Sequence, residues 1–87
     1  MKGLGRQHEW DHVPAPRVQR GLELGLEAFH LRVLNAISHG LNEQEAAIVL
    51  GSTYHAVHSH MMDARRALAA KNQVHAIARA LRFGLIS

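Results

Sequence analysis

The sequence predicts an all-α fold: a four-helix domain built around a helix-turn-helix and preceded by an irregular arm. Apolar residues recur at helical spacing from Leu26 to Ile86, and no stretch shows the alternation of a half-buried strand. Capping and helix-breaking residues divide this region into four segments. We therefore place an N-terminal arm at residues 1–25 and one helical domain at residues 26–87.

The arm is poor in helix-forming signals. Glycines and two prolines interrupt residues 1–16, so we expect Val13–Pro16 to be extended. Residues 17–25 are ambiguous, because Leu22 could continue the apolar stripe that begins with Leu26. The end of the arm could therefore be helical, with the first helix starting early.

The first two helices of the domain have clear ends. One face of the first helix carries Leu26, His30, Val33, Leu34 and Ile37, and Gly40 follows as a C-terminal cap. Asn42 and Glu45 have the spacing of a capping box, in which each side chain bonds the other residue's backbone N–H. The second helix is expected to run to Leu50 and stop at Gly51.

Two further helices follow this glycine. Ser52 or Thr53 caps the third helix, which is expected to continue to Leu68 or Ala69. Asn72 caps the fourth helix, and Gly84 closes it. The expected core consists of Leu34, Ile37, Ala47, Leu50, Val57, Ala64, Leu68 and Ile77.

Composition narrows the class of protein. The 87 residues suffice for one small domain, and their 47% hydrophobic content with 5% aromatics suits closely packed helices. The absence of cysteine excludes disulfide scaffolds and thiol chemistry. No apolar run approaches the roughly 20 residues of a membrane span, and the N-terminus lacks a secretory signal. We expect a cytoplasmic protein with no membrane contact.

Charge is distributed unevenly. The net charge is +3, but residues 52–87 hold five bases and one acid, a net of +4, whereas residues 1–51 hold five bases and six acids, a net of −1. The basic part also contains four histidines: His55, His58, His60 and His75. Such asymmetry fits a polyanionic partner, although a solvated charged face would look the same.

Residues 26–86 resemble the C-terminal DNA-binding domain of the LuxR/FixJ type, also called the GerE type. The match runs without gaps. Its pieces are Val33-Leu34, Gly40-Leu41-Asn42, Glu45-Ala46-Ala47, Leu50-Gly51, Val57-His58-Ser59-His60, Arg65-Arg66-Ala67-Leu68, Asn72, and Ala76 through Leu85.

The resemblance implies a domain whose third helix enters the major groove of double-stranded DNA, and which dimerises through its fourth helix. Because only 25 residues precede the match, we expect this domain to be stand-alone. The base-facing places are then taken by His58, Ser59 and Met62. The DNA backbone contacts, with Arg65 added from the exposed face of the helix, fall on Thr53, Tyr54, His55, Arg65, Arg66, Lys71 and Asn72. The apolar stripe of the fourth helix supplies the homodimer interface: Val74, Ile77 and Leu81.

The chain departs from the family pattern where the DNA is read. The usual Thr-Val-Lys-Val-His run is Ala56 to His60 here, so His58 replaces a lysine, and Met62 replaces an often basic residue. Phe29 and Leu31 are apolar where the family has Pro and charged residues, which suggests that something packs there. Base preference therefore does not transfer from the family.

We expect a sequence-specific, non-enzymatic transcription regulator that requires no metal or other cofactor. The alternative is a protein-interaction module that keeps the fold and binds RNA polymerase, a sigma factor or another regulator through Phe29, Leu31 or the arm. A third hypothesis, a metal-dependent hydrolase, rests only on the H-E-x-x-H spacing of His8 to His12 before two prolines. For His60 we expect a structural role, partly buried against the second helix of the domain.

Overall fold

A computed structural model describes residues 12–87, and these form five helices without a strand. The helices are α1 (Ala15–Glu23), α2 (Ala28–Ser38), α3 (Glu43–Val49), α4 (Tyr54–Ala67) and α5 (Gln73–Arg82). The all-α prediction is confirmed, but there are five helices rather than four because α1 forms within the segment expected to be an arm. No helix in residues 12–87 is long and apolar enough to cross a membrane.

The prolines open α1 instead of preventing it. We expected Val13–Pro16 to be extended, but Pro14 is the N-cap and Pro16 lies in the first turn of the helix. The first backbone N–H groups of a helix have no intrahelical partner, so a proline costs no hydrogen bond there. Its restricted φ also suits a helix start. The expectation of an extended segment was therefore wrong for Ala15 and Pro16.

Helix α1 packs on α2 at Gly21, where the backbone of α1 lies close to a side chain of α2. Gly21 is buried, and a Cβ atom built on it would lie 3.0 Å from Leu31 Cδ1 and 3.2 Å from the Leu26 carbonyl oxygen. Arg20 Nη1 also donates a 2.6 Å hydrogen bond to the Gly84 carbonyl after α5. Leu31 is completely buried, so it cannot supply the partner surface predicted for it.

The predicted caps are present at three helix starts. Asn42 Oδ1 accepts from the Glu45 N–H at 2.8 Å, while Glu45 Oε1 accepts from the Asn42 N–H at 2.9 Å. Thr53 caps α4 by accepting from Ala56 N–H at 3.1 Å, which decides between the two candidates Ser52 and Thr53. Asn72 caps α5 through His75 N–H at 2.8 Å. These bonds satisfy backbone groups that would otherwise lack partners.

The core lies between α2 and α4, with α3 and α5 packed beside it. Five of the eight predicted core residues are buried: Leu34, Ala47, Val57, Ala64 and Leu68. The other three, Ile37, Leu50 and Ile77, are half-buried at the edge of the core. The main additions are Leu26, Leu31, Val33, Met61, Leu85 and Ile86, the last two from the C-terminal segment after Gly84.

A short turn joins α3 to α4. Leu50 is the C-cap of α3, and Gly51 follows with a φ of 66°, a left-handed conformation that costs glycine little. The Ser52 N–H then bonds the Ala47 carbonyl at 2.8 Å. Val57 and Met61 anchor α4 in the core, so the opposite face of α4 points away from the bundle.

Candidate functional site

The candidate site is the outward side of α4, called here the α4 face. Tyr54, His55, His58 and Ser59 are exposed there. Buried side chains hold the other side of the helix: Val57, Met61 and Ala64. Because α4 is fixed along its inner side, its outer side chains are presented from a rigid element, as a site that reads a ligand's shape requires.

His58 has two neighbours on the α4 face. Its Nδ1 lies 2.9 Å from Glu43 Oε1 of α3, and its ring stacks on Tyr54 with centroids 5.7 Å apart and planes 15° apart. The His58 side chain remains 48% exposed, whereas that of Glu43 is only 16% exposed. Sequence reasoning placed His58 on this face but missed Glu43, which lies 15 residues earlier in the chain.

Met62 and Arg65 are less exposed than expected. Both are half-buried, and Arg65 Nη1 contacts Met62 Sδ at 3.4 Å. Arg65 Nη2 donates to the Lys71 carbonyl at 3.1 Å, which ties α4 to the connection before α5. The guanidinium group already makes two contacts within the fold. A phosphate contact by Arg65 would therefore compete with these contacts.

Arg66 has a different environment. Its side chain is 69% exposed, and Nη2 pairs with Asp63 one turn earlier on α4. Asp63 also lies 3.7 Å from His30 Nε2 on α2. An exposed pair of this kind contributes little to stability and can rearrange when a stronger anion approaches.

The other predicted backbone contacts lie at the two ends of α4. Thr53 and Asn72 use a side-chain oxygen as a cap acceptor, yet the Thr53 hydroxyl hydrogen can still be donated to a phosphate. Lys71 is exposed, and its backbone N–H bonds His75 Nδ1 at 3.0 Å. Lys71 therefore adds an exposed base just beyond the C-terminal end of α4, where Arg66 supplies another.

His60 packs inward. Nδ1 lies 2.7 Å from the Ala56 carbonyl, and the ring lies 4.8 Å from that of Phe29 and 4.7 Å from that of His30. The expected structural role is confirmed, but the helix it meets is α2, not α3. Phe29, expected to attract a partner, is half-buried against this histidine.

An apolar groove lies between α5 and the connection from α2 to α3. Its volume is about 550 Å³. Two of the predicted dimer residues project strongly, since Val74 is 78% exposed and Leu81 is 47% exposed, while Ile77 is half-buried. The groove is completed mainly by Ile37, Leu41 and Ala78.

The metal hypothesis gains no support from residues 12–87, which contain no group of three or more histidine, aspartate or glutamate side chains able to hold a metal ion. Of the H-E-x-x-H motif, His8 and Glu9 lie outside the described residues, as does Trp10. Only His12 falls within them, and it is exposed before α1.

The chain matches no protein-family model, no curated protein and no solved structure. The resemblance to the LuxR type therefore rests on the residues quoted above. The arrangement of α3, α4 and the α4 face is the geometry on which a function can be argued.

Proposed function

We propose that this chain is a sequence-specific DNA-binding regulator of the LuxR type, without catalytic activity. In this proposal α3, the turn at Gly51 and α4 act as a helix-turn-helix, and α4 enters the major groove. The α4 face is the observation that carries the proposal. It presents polar and imidazole groups outward, while Val57 and Met61 on the same helix are buried and hold it in place.

Charge supports a polyanionic partner. Residues 52–87 carry a net of +4, and the exposed bases Arg66 and Lys71 lie at or beyond the C-terminal end of α4. Basic side chains beside a recognition helix can bind the phosphates that flank the nucleotide bases being read. In this proposal Arg66 and Lys71 contact phosphates, and His58, Ser59 and Met62 face base edges.

The proposed DNA-binding form is a homodimer. The groove beside α5 is apolar and open, with Val74 and Leu81 projecting beside it. Covering these side chains with the same surface of a second copy would remove apolar area from water. Two copies would also place two α4 helices on paired half-sites.

The test compares the effects of removing two basic side chains, exposed Lys71 and half-buried Arg17, on DNA binding at several salt concentrations. Lys71→Ala should weaken binding to all duplexes alike and lower the slope of log affinity against log salt by about one unit. Arg17→Ala on α1 is the matched control, because it removes the same charge from a helix that packs on α2. Its salt slope should equal that of the wild type.

His58→Ala should behave differently from Lys71→Ala, because it alters which sequence is preferred. Absence of wild-type binding above background at low salt would contradict the proposal. The alternative, a protein-interaction module, would then be favoured, because the apolar groove lined by Val74, Ile77 and Leu81 suits another protein as well as a second copy.

A further inference from the structure

His58 is oriented before any ligand arrives. Glu43 holds Nδ1 from the side of α3, and the Tyr54 ring lies against the imidazole plane. The remaining polar atom of the ring, Nε2, has no hydrogen-bond partner among the described residues, and about half of the side chain is exposed. A ligand approaching the α4 face therefore meets His58 through Nε2.

The Glu43 carboxylate determines the tautomer of His58. An ionised carboxylate only accepts hydrogen bonds, so the contact at 2.9 Å places the hydrogen on His58 Nδ1. A neutral imidazole carries one ring hydrogen, so Nε2 then has a lone pair and accepts. Protonation of the ring adds the second hydrogen at Nε2 and turns this atom into a donor.

Two titratable groups from residues 12–87 lie against the His58 ring: Glu43 from α3 and Tyr54 from α4. The adjacent polar pocket adds three amide side chains, from the start of α3 and from α5: Asn42, Gln44 and Gln73. Amides carry no charge, and the Tyr54 ring meets the imidazole by stacking rather than through a hydrogen bond. Glu43 is thus the group that sets the hydrogen-bonding state of His58.

We propose that His58, positioned by Glu43, reads an exocyclic amino group of adenine or cytosine when its ring is neutral and reads guanine when its ring is protonated. In the major groove the amino groups of adenine and cytosine donate, whereas N7 and O6 of guanine accept. An accepting Nε2 matches these amino groups. A donating Nε2 matches acceptors, and guanine presents two adjacent ones with no donor, whereas adenine N7 and thymine O4 offer one each. The inference rests on the proposed DNA-binding function and makes His58 a specificity-determining residue with Glu43 as its positioning residue.

Base preference can be measured at two pH values with the full chain. Wild-type protein selects sites from randomised duplexes at pH 8 and pH 6 at equal salt. Affinities are then measured for duplexes that differ only at the base pair where the selected sequence differs between the two pH values. We expect the affinity ratio of guanine over the amino-bearing base to rise about tenfold from pH 8 to pH 6, the value of one hydrogen bond.

Glu43→Gln and Glu45→Gln form the matched pair of variants. Both replace a carboxylate by an amide on α3, but in Glu45→Gln the amide oxygen would still complete the capping box with Asn42. The Glu45→Gln protein should keep the tenfold change. In Glu43→Gln the amide can pair with either tautomer, so the change should shrink to about threefold or less.

A second measurement does not involve DNA. Imidazole ¹⁵N NMR of the free wild-type and Glu45→Gln proteins at pH 8 should show His58 with its hydrogen on Nδ1, and Glu43→Gln should show a mixture. A wild type that binds DNA with the same base preference at both pH values overturns this inference alone. Failure to bind any duplex overturns the proposed function and this inference with it, whereas a His58 hydrogen on Nε2 overturns the tautomer argument regardless of DNA.

Discussion

Val57 connects the core to the candidate site. It lies on the inner side of α4 with no exposed surface, next in the chain to His58 on the outer side. Buried aliphatic side chains of this kind fix the rotation of a helix about its own axis. The orientation of the α4 face therefore depends on Val57 and on its buried neighbour Met61 one turn later.

Val57→Asp should unfold the domain. An unpaired charge at this buried position costs on the order of 5 kcal/mol, close to the whole stability of a small domain. Helical circular dichroism and thermal melting measure the effect. Ile48→Asp is the control, because Ile48 is 71% exposed and its replacement should leave the helical signal intact. Equal melting temperatures for the two variants would contradict the placement of Val57 in the core.

Histidine charge should make DNA binding depend on pH. His55 and His58 are exposed on the α4 face, and histidine is the side chain type whose charge ordinarily changes between pH 8 and pH 6. Charge-assisted bonds to phosphate are stronger than neutral ones, so affinity should rise about fivefold between pH 8 and pH 6.

The His55→Ala/His58→Ala protein should lose most of this rise when affinity is measured at fixed salt. Since Glu43 neutralises a charged His58, His55 is expected to account for most of the gain. His12→Ala, which removes an exposed histidine ahead of α1, should retain the wild-type pH dependence. If the wild type, the double variant and His12→Ala all show the same pH dependence of affinity, groups other than these histidines cause it.

At the scale of elements, the least expected helix is α1. Sequence reasoning left residues 17–25 open to a helix but missed its start at two prolines. The docking of α1 also depends on a glycine, a residue with low helix propensity. Gly21 is favoured here because Leu31 and the Leu26 carbonyl approach its backbone closely. Only the packing of α1 on α2 shows why a residue with no side chain is needed.

Gly21→Leu should weaken the docking of α1. The added side chain must displace Leu31 or the backbone at Leu26, at a cost of about 1–3 kcal/mol. Urea unfolding measures the loss of stability. Gln19→Leu places the same side chain on an exposed position of α1 and should change stability little. If both variants unfold at the same urea concentration, the close packing of α1 against α2 is wrong.

At the scale of the whole molecule, the apolar groove beside α5 leaves Val74 and Leu81 exposed to water. Val74→Asp or Leu81→Asp should weaken homodimerisation at least tenfold, because burial of one such side chain contributes about 1.5–3 kcal/mol. Sedimentation equilibrium at micromolar concentration measures this. Ile48→Asp is again the control, because Ile48 is exposed but does not line the groove. Wild-type protein that is monomeric with and without DNA would contradict the dimer.

The sequence by itself was enough to determine the four helices α2 to α5, their caps at Asn42, Thr53 or Ser52, and Asn72, and most of the core. Each of these depends on residues within a few positions of one another, through helical periodicity or a side chain that caps its own helix. Exposure of His55, His58 and Ser59 on α4 follows from the same periodicity.

Tertiary structure alone decided the contacts between distant parts of the chain. Packing buried Leu31 under α1, turned His60 toward Phe29, drew Arg65 to the Lys71 carbonyl, and brought Glu43 to His58. Local pattern identifies which side of a helix is polar, but it does not specify which groups from another helix will meet that side. These contacts depend on how whole helices pack, and here they determine which hydrogen-bonding groups the candidate site presents.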